Sequence, residues 1–105
     1  MVIRIVKMEF EKTKVDTFLE MFNLNRSKIA GFEGCLGVEL HSSMDAPNIF
    51  YTYSTWKSEQ DLEMYRHSDL FKQIWGNTKV LFSNKPEAWS LLKLESAPPA
   101  SAEGN

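Results

Sequence analysis

Apolar side chains alternate along the first ten positions, with Val2, Val6, Met8 and Phe10 on one side of an extended chain and Ile3 and Ile5 on the other. Arg4 shares the first side, and Lys7 and Glu9 share the second. This β-branched alternation predicts a strand over residues 2–10 that is apolar on both faces through its first half. The period then changes. Val15, Phe18, Leu19, Phe22, Arg26 and Ile29 recur at helical spacing, with Thr13 placed as N-cap, Asp16 three residues on, and Gly31 placed as a left-handed C′ residue. Cys35 to His41 alternates again and predicts a second strand; Ser42 to Asn48 is rich in turn formers; Ile49 to Trp56 predicts a third strand, so strands two and three form a hairpin. Ser58 caps a helix carrying Leu62 and Tyr65. Ser68 is a fresh cap for Phe71, Ile74, Trp75, Thr78 and Phe82, so this helical region breaks near His67 and Ser68. Asn84, Lys85 and Pro86 end it, and Trp89 to Leu94 predicts a last strand.

The order strand, helix, strand, strand, helix, strand specifies an α+β fold of the ferredoxin-like βαββαβ kind, a four-stranded antiparallel sheet with its helices on one face. The other face is left bare. Strand three carries Ile49, Tyr51 and Tyr53 on one side and Phe50 and Trp56 on the other, so both faces hold large apolar groups. An apolar sheet face of that size favours association, and a homodimer packed sheet against sheet covers it. Residues 1–95 form the expected domain; residues 96–105, with Pro98 and Pro99, form an expected flexible tail.

Composition narrows the function classes. The chain has 105 residues, 43% hydrophobic and 25% charged, which suits one globular domain. A formal charge of −2, with twelve basic residues dispersed among fourteen acidic ones, offers no footprint for nucleic acid. No apolar run approaches the ~20 residues of a membrane span. The single Cys35 excludes an intrachain disulfide, and Arg4 and Lys7 interrupt the N-terminal apolar stretch that a signal peptide needs, so a cytoplasmic location is expected. His41, His67 and Cys35 show no metal-site spacing, and Gly31, Gly34 and Gly37 are not spaced as a nucleotide-binding loop, so neither metal nor nucleotide cofactor is expected.

Gly31-Phe32-Glu33-Gly34-Cys35-Leu36-Gly37-Val38, followed by Trp56-Lys57-Ser58, Leu62, Tyr65, Ser68 and Phe71, resembles the antibiotic biosynthesis monooxygenase domain family over nearly all of residues 2–95. The resemblance implies a small dimeric α+β barrel with a pocket between each sheet and its own helices. It also implies a functional range that spans cofactor-free quinol and polyketide monooxygenases, haem-degrading enzymes and members with no assigned activity. With Trp56 facing the helices as in relatives, Phe50, Thr52 and Ser54 fall on the pocket side and Tyr51 and Tyr53 at the dimer interface. Two departures stand out. Tyr65 occupies a position where many members resembling quinol monooxygenases carry His, and Trp75 stands where haem-cleaving members place their iron ligand.

The activity implied is oxidation of a quinol-like or polyaromatic small molecule by O₂ with no cofactor. Such a substrate must be deprotonated before it passes an electron to O₂, so the site needs a base or a stabiliser of the anion inside an apolar pocket. Tyr65 and His67 are the candidate catalytic residues; an unperturbed imidazole titrates near about 6.5. Phe50, Thr52, Ser54, Trp56, Phe71 and Trp75 are the candidate substrate-binding residues, and Arg66 is placed to assist an anionic substrate. Plain core packing accounts for the same aromatics. A dimeric small-molecule-binding or stress-response module without catalysis, or haem binding through His67 or His41, are the alternatives.

Overall fold

A computed structural model describes residues 1–100. The chain folds as β1 (Val2–Glu9), α1 (Val15–Ala30), β2 (Cys35–Ser42), β3 (Ile49–Trp56), α2 (Glu59–Arg66), α3 (Asp69–Lys79) and β4 (Glu87–Leu92). The four strands form one sheet in the order β2-β3-β1-β4, antiparallel throughout, which is the α+β arrangement expected from the element order.

Register decides which side chains meet the helices. Val2 pairs with Trp56, Arg4 with Ser54, Val6 with Thr52 and Met8 with Phe50, and strand alternation sends all eight to the same side. Val38 opposite Ser54 and Leu40 opposite Thr52 extend that side across β2. Tyr51, Tyr53, Ile3 and Ile5 point to the opposite side, together with Trp89 and Leu91 of β4.

The core is divided. Val2, Ile29, Trp56, Leu62 and Tyr65 pack at one end of the inward face, and Met8, Phe10, Phe18, Phe50 and Leu81 at the other. The division follows from side-chain size along β3. Its inward row reads Phe50, Thr52, Ser54, Trp56, with large groups at the ends and small ones between. Protein interiors leave few voids larger than a water, so two small residues in mid-sheet beneath the helices mark a place where the core does not close.

Two serines shape the helical layer. Ser58 Oγ accepts the Asp61 N–H at 3.1 Å and donates to Asp61 Oδ2 at 2.8 Å. Ser68 Oγ accepts the Phe71 N–H at 3.1 Å and donates to the Tyr65 carbonyl at 2.6 Å, fastening the start of α3 to the end of α2. The break expected at His67 and Ser68 is present.

Other local expectations need correction. Thr13 is not an N-cap, because it lies within a single 3-10 turn, Lys12–Lys14, and Lys14 precedes α1 with no side-chain cap. Gly31 has φ −86°, and the positive-φ glycines that follow it are Gly34 at 86° and Gly37 at 150°. Phe10 lies just past β1 and bridges to Phe82, which α3 does not reach. β4 begins at Glu87, two residues earlier than expected, and ends at Leu92. Of the expected tail, residues 96–99 carry no regular structure and residues 101–105 lie outside the described residues.

Candidate functional site

A cavity of about 290 Å³ occupies the gap between the two core clusters. That is close to the lower end, roughly 300 Å³, of ordinary small-molecule sites. Its floor is the sheet, with Arg4, Val6 and Met8 from β1, Val38 from β2, and Thr52 and Ser54 from β3. Its walls come from Phe18 and Phe22 of α1, from Leu62, Tyr65 and Arg66 of α2, and from Phe71, Ile74, Trp75 and Thr78 of α3. Pro86, Glu87 and Ala88 edge it where β4 begins, and every residue of β4 is exposed.

The candidate residues separate by position. Thr52, Ser54, Tyr65, Phe71 and Trp75 line the cavity together. Phe50 and Trp56 share their face of the sheet but do not line it. Phe50 lies with its ring centroid 5.4 Å from Phe18 and 6.0 Å from Phe10 in one core cluster. Trp56 is fully buried behind Tyr65 in the other. His67 stands outside, its side chain 78% exposed and its Nε2 3.4 Å from Glu63 Oε2. Two residues on an α-helix differ in bearing by about 200°, so with Tyr65 turned inward at the end of α2, position 67 is directed outward.

A continuous series of ring contacts runs from the core at Trp56 through the wall residues Tyr65, Phe71 and Trp75 to Phe82. Tyr65 stacks on Trp56 at 4.9 Å and meets Phe71 edge-on at 5.3 Å; Phe71 stacks on Trp75 at 5.9 Å with planes 10° apart; Trp75 meets Phe82 at 5.6 Å. Offset stacks and edge contacts of this kind hold flat surfaces in place and present π faces to a planar guest.

Polar groups are few. Ser54 Oγ accepts the buried Trp56 indole N–H at 3.0 Å. Burial, reinforced by the nearby Cys35 thiol, pushes the Tyr65 phenol up to about 12, so it remains an O–H donor at neutral pH rather than a base. Burial also pushes the Cys35 thiol up, against a weaker opposing hydrogen bond with the Gly37 backbone. Arg4 was not anticipated as a lining residue. Its Nη1 donates to Ser90 Oγ at 2.9 Å, and its basicity is lowered first by burial and then by the neighbouring Arg66, with Glu63 acting the other way. The sequence signal for it was a lone cation in the otherwise apolar inward row of the first strand.

Among the described residues no histidine or cysteine lines the cavity. His41 lies near the end of β2, exposed, with Nε2 2.8 Å from Glu39 Oε1. The cavity wall thus offers no imidazole or thiolate as an axial haem ligand, and His41 and His67 both stand outside it. Among the described residues no cluster of three His, Cys, Asp or Glu is arranged to hold a metal ion, and no helix is long and apolar enough to cross a membrane.

Comparison with known proteins bears on the whole arrangement. The family model described as antibiotic biosynthesis monooxygenase matches residues 1–75. No functionally curated protein matches the sequence. Among solved structures, a conserved protein of Methanosarcina mazei Go1 superposes with TM-score 0.82 at 24% identity, covering 90% of this chain and 94% of that one. A Nitrosomonas europaea protein provisionally named an antibiotic biosynthesis monooxygenase gives 0.83 at 17% identity, over 90% of this chain and 100% of its own. A Deinococcus radiodurans protein with the same provisional name gives 0.85 at 13% identity, over 94% and 98%. At these identities the likeness shows a shared fold.

Proposed function

The chain belongs to the antibiotic biosynthesis monooxygenase family, and from that membership we propose that it is a homodimeric, cofactor-independent monooxygenase of the cytoplasm. In this proposal it oxidises a quinol-like or polyaromatic molecule with O₂ in the cavity between sheet and helices. The observation that carries the proposal is the cavity itself, an opening in an otherwise packed core, walled by stacked rings and sized for a small planar molecule.

The chemistry asks for a carbanion or phenolate that passes one electron to O₂. For an anthrone-like methylene, the resulting radical and superoxide combine into a hydroperoxide. This loses water to leave the carbonyl, so that R₂CH₂ and O₂ give R₂C=O and H₂O. The apolar walls exclude water from the radical pair. Tyr65 is the candidate hydroxyl donor to the developing peroxide, since its phenol stays protonated. His67 is exposed beyond the wall, so in this scheme it does not reach the substrate.

The opposite face of the sheet supports the dimeric part. Ile3, Ile5, Tyr51 and Tyr53 are only partly buried there, and Trp89 and Leu91 are 43% and 48% exposed. A second copy laid against this face would cover them.

Oxygen uptake with menadiol or a hydroxylated anthrone tests the proposal. The expected result is consumption above the autoxidation rate that falls when Trp75→Ala opens the wall. A rate equal to that without protein would remove the enzymatic claim. The lack of an imidazole in the cavity favours one other reading, a dimeric binding module of the same fold. Thermal stabilisation by aromatic ligands with no turnover would select it.

A further inference from the structure

Deprotonation of the substrate is the step for which the cavity shows no conventional base, and two arginines stand where that step would be felt. Arg4 is the one charged residue on the inward side of β1, between Val2 and Val6, and both it and Arg66 line the cavity. The Arg4 guanidinium is only partly withdrawn from solvent, and the water it loses there must be replaced by partners. Arg4 has a neutral partner, Ser90 Oγ at 2.9 Å. Among the described residues the ion pairs are Lys7 with Glu87, His41 with Glu39, and Arg66 and His67 with Glu63, so no carboxylate is paired with Arg4.

Neighbouring carboxylates are already engaged. Glu87, at the edge of the cavity, lies across the strand pair from Lys7, with its Oε1 3.9 Å from Lys7 Nζ. Glu63 is shared between Arg66 Nη1 at 2.9 Å and His67 Nε2 at 3.4 Å. Arg4 and Arg66 line the same cavity and repel one another, and with Glu63 engaged by Arg66 and His67 the polar end of the cavity is positive. The rest of the wall is mostly apolar, with the rings of Phe18, Phe22, Tyr65, Phe71 and Trp75 among aliphatic side chains.

Resting on the view of this cavity as the ligand site, we propose that it takes its aromatic ligand as an anion, with a ring-borne oxyanion held by Arg4 from the sheet and Arg66 from the end of α2. The oxyanion is either a carboxylate or an ionised phenol. In the second case the arginines act on the reaction directly. They lower the pKa of the bound phenol so that its proton passes to water, and no protein base is needed. Arg4 is then a binding residue for the reacting anion, and Arg66 strengthens its field from the rim.

Matched probes test this on the full-length protein. Calorimetric titration with 2-naphthoate and with neutral 2-naphthamide is expected to give at least about tenfold tighter binding of the acid, a factor of ten being ~1.4 kcal/mol. Arg4→Met is expected to abolish the preference while leaving naphthamide affinity within about twofold. Arg66→Gln, on the exposed rim where folding is not at risk, is expected to reduce it by roughly threefold or more. A second arm follows the absorbance of 2-naphthol. Binding is expected to lower its ionisation pH by at least about one unit, and Arg4→Met to remove that shift. A preference for naphthoate alone assigns a carboxylate ligand, and a naphthol shift alone assigns a phenolate. Equal binding of acid and amide with an unshifted naphthol overturns the proposal, as do effects that survive both arginine substitutions. Oxygen uptake distinguishes the levels: an anion preference without turnover upholds this inference against the monooxygenase assignment, and turnover without an anion preference does the reverse.

Discussion

The Trp56 indole N–H donates to Ser54 Oγ at 3.0 Å, with both residues below a tenth exposed. One residue is a corner of the core and the other lines the cavity floor, so this bond joins the packed part of the sheet to the open part. Ser54→Ala removes the acceptor and leaves a buried N–H unsatisfied, at a cost of about 1–3 kcal/mol. Urea unfolding should show a lowered midpoint with an unchanged slope, since the surface exposed on unfolding is the same.

Tyr65 gives a pH signature. Its phenol titrates at about 12 in the folded chain against 10.0 ordinarily. At lower pH both states hold the proton and the stability is intact. As pH rises between these values the unfolded chain releases its proton while the folded chain keeps it, so stability falls, by a total on the order of 3 kcal/mol. The raised Cys35 thiol contributes with the same sign, beginning near 9.0. Tyr65→Phe should therefore flatten the upper part of the alkaline stability profile and leave the thiol's part in place. Equal alkaline slopes in the two proteins would show that Tyr65 is not desolvated.

Gly34 combines a left-handed backbone with a close approach. At φ 86° a side chain is strained, and a Cβ there would lie 2.3 Å from Asp61 Cγ, in the side chain that meets Ser58 at the start of α2. Gly34→Ala should destabilise the protein by about 2 kcal/mol or more and fray the start of α2. Amide exchange at Asp61 and Leu62 reads the fraying directly.

The sheet face carrying Tyr51 and Tyr53 predicts the oligomeric state. Tyr53→Arg places a cation in the middle of the proposed interface, and sedimentation should show the wild type as a dimer and the variant shifted toward monomer. A wild type that is monomeric at micromolar concentration would contradict the dimer and leave this apolar face uncovered.

Much of the fold was legible because its signals are local. Ser58 and Ser68 cap the helices they precede, and the alternation about Trp56 put Thr52 and Ser54 on the helix side. The structure shows both. Thr13 and Gly31 misled because a cap depends on the backbone of its neighbours. The 3-10 turn before α1 and the turn at Gly34 are set by how the chain leaves β1 and enters β2. The site was legible as a set of faces and illegible as a space. That Phe50 and Trp56 pack into the core while Thr52 and Ser54 border a void follows only once the helices are placed over them. His67 drew notice as a chemically able residue, but its bearing follows from Tyr65 facing inward. Arg4 was legible as a cation on the side of Val2 and Val6, but that this side borders a cavity follows only once the helices are placed over it.

The central claim is that a planar ligand enters between the sheet and the helices. Titrating isotopically labelled protein with 2-naphthoate and following amide and indole resonances tests it most directly. The account predicts that the largest shifts fall on Val6, Thr52, Phe71 and the Trp75 indole, all on the cavity wall. Shifts concentrated instead on Ile3, Leu36 and Tyr53, which border a cleft on the opposite side of the sheet, would place the ligand elsewhere and contradict it.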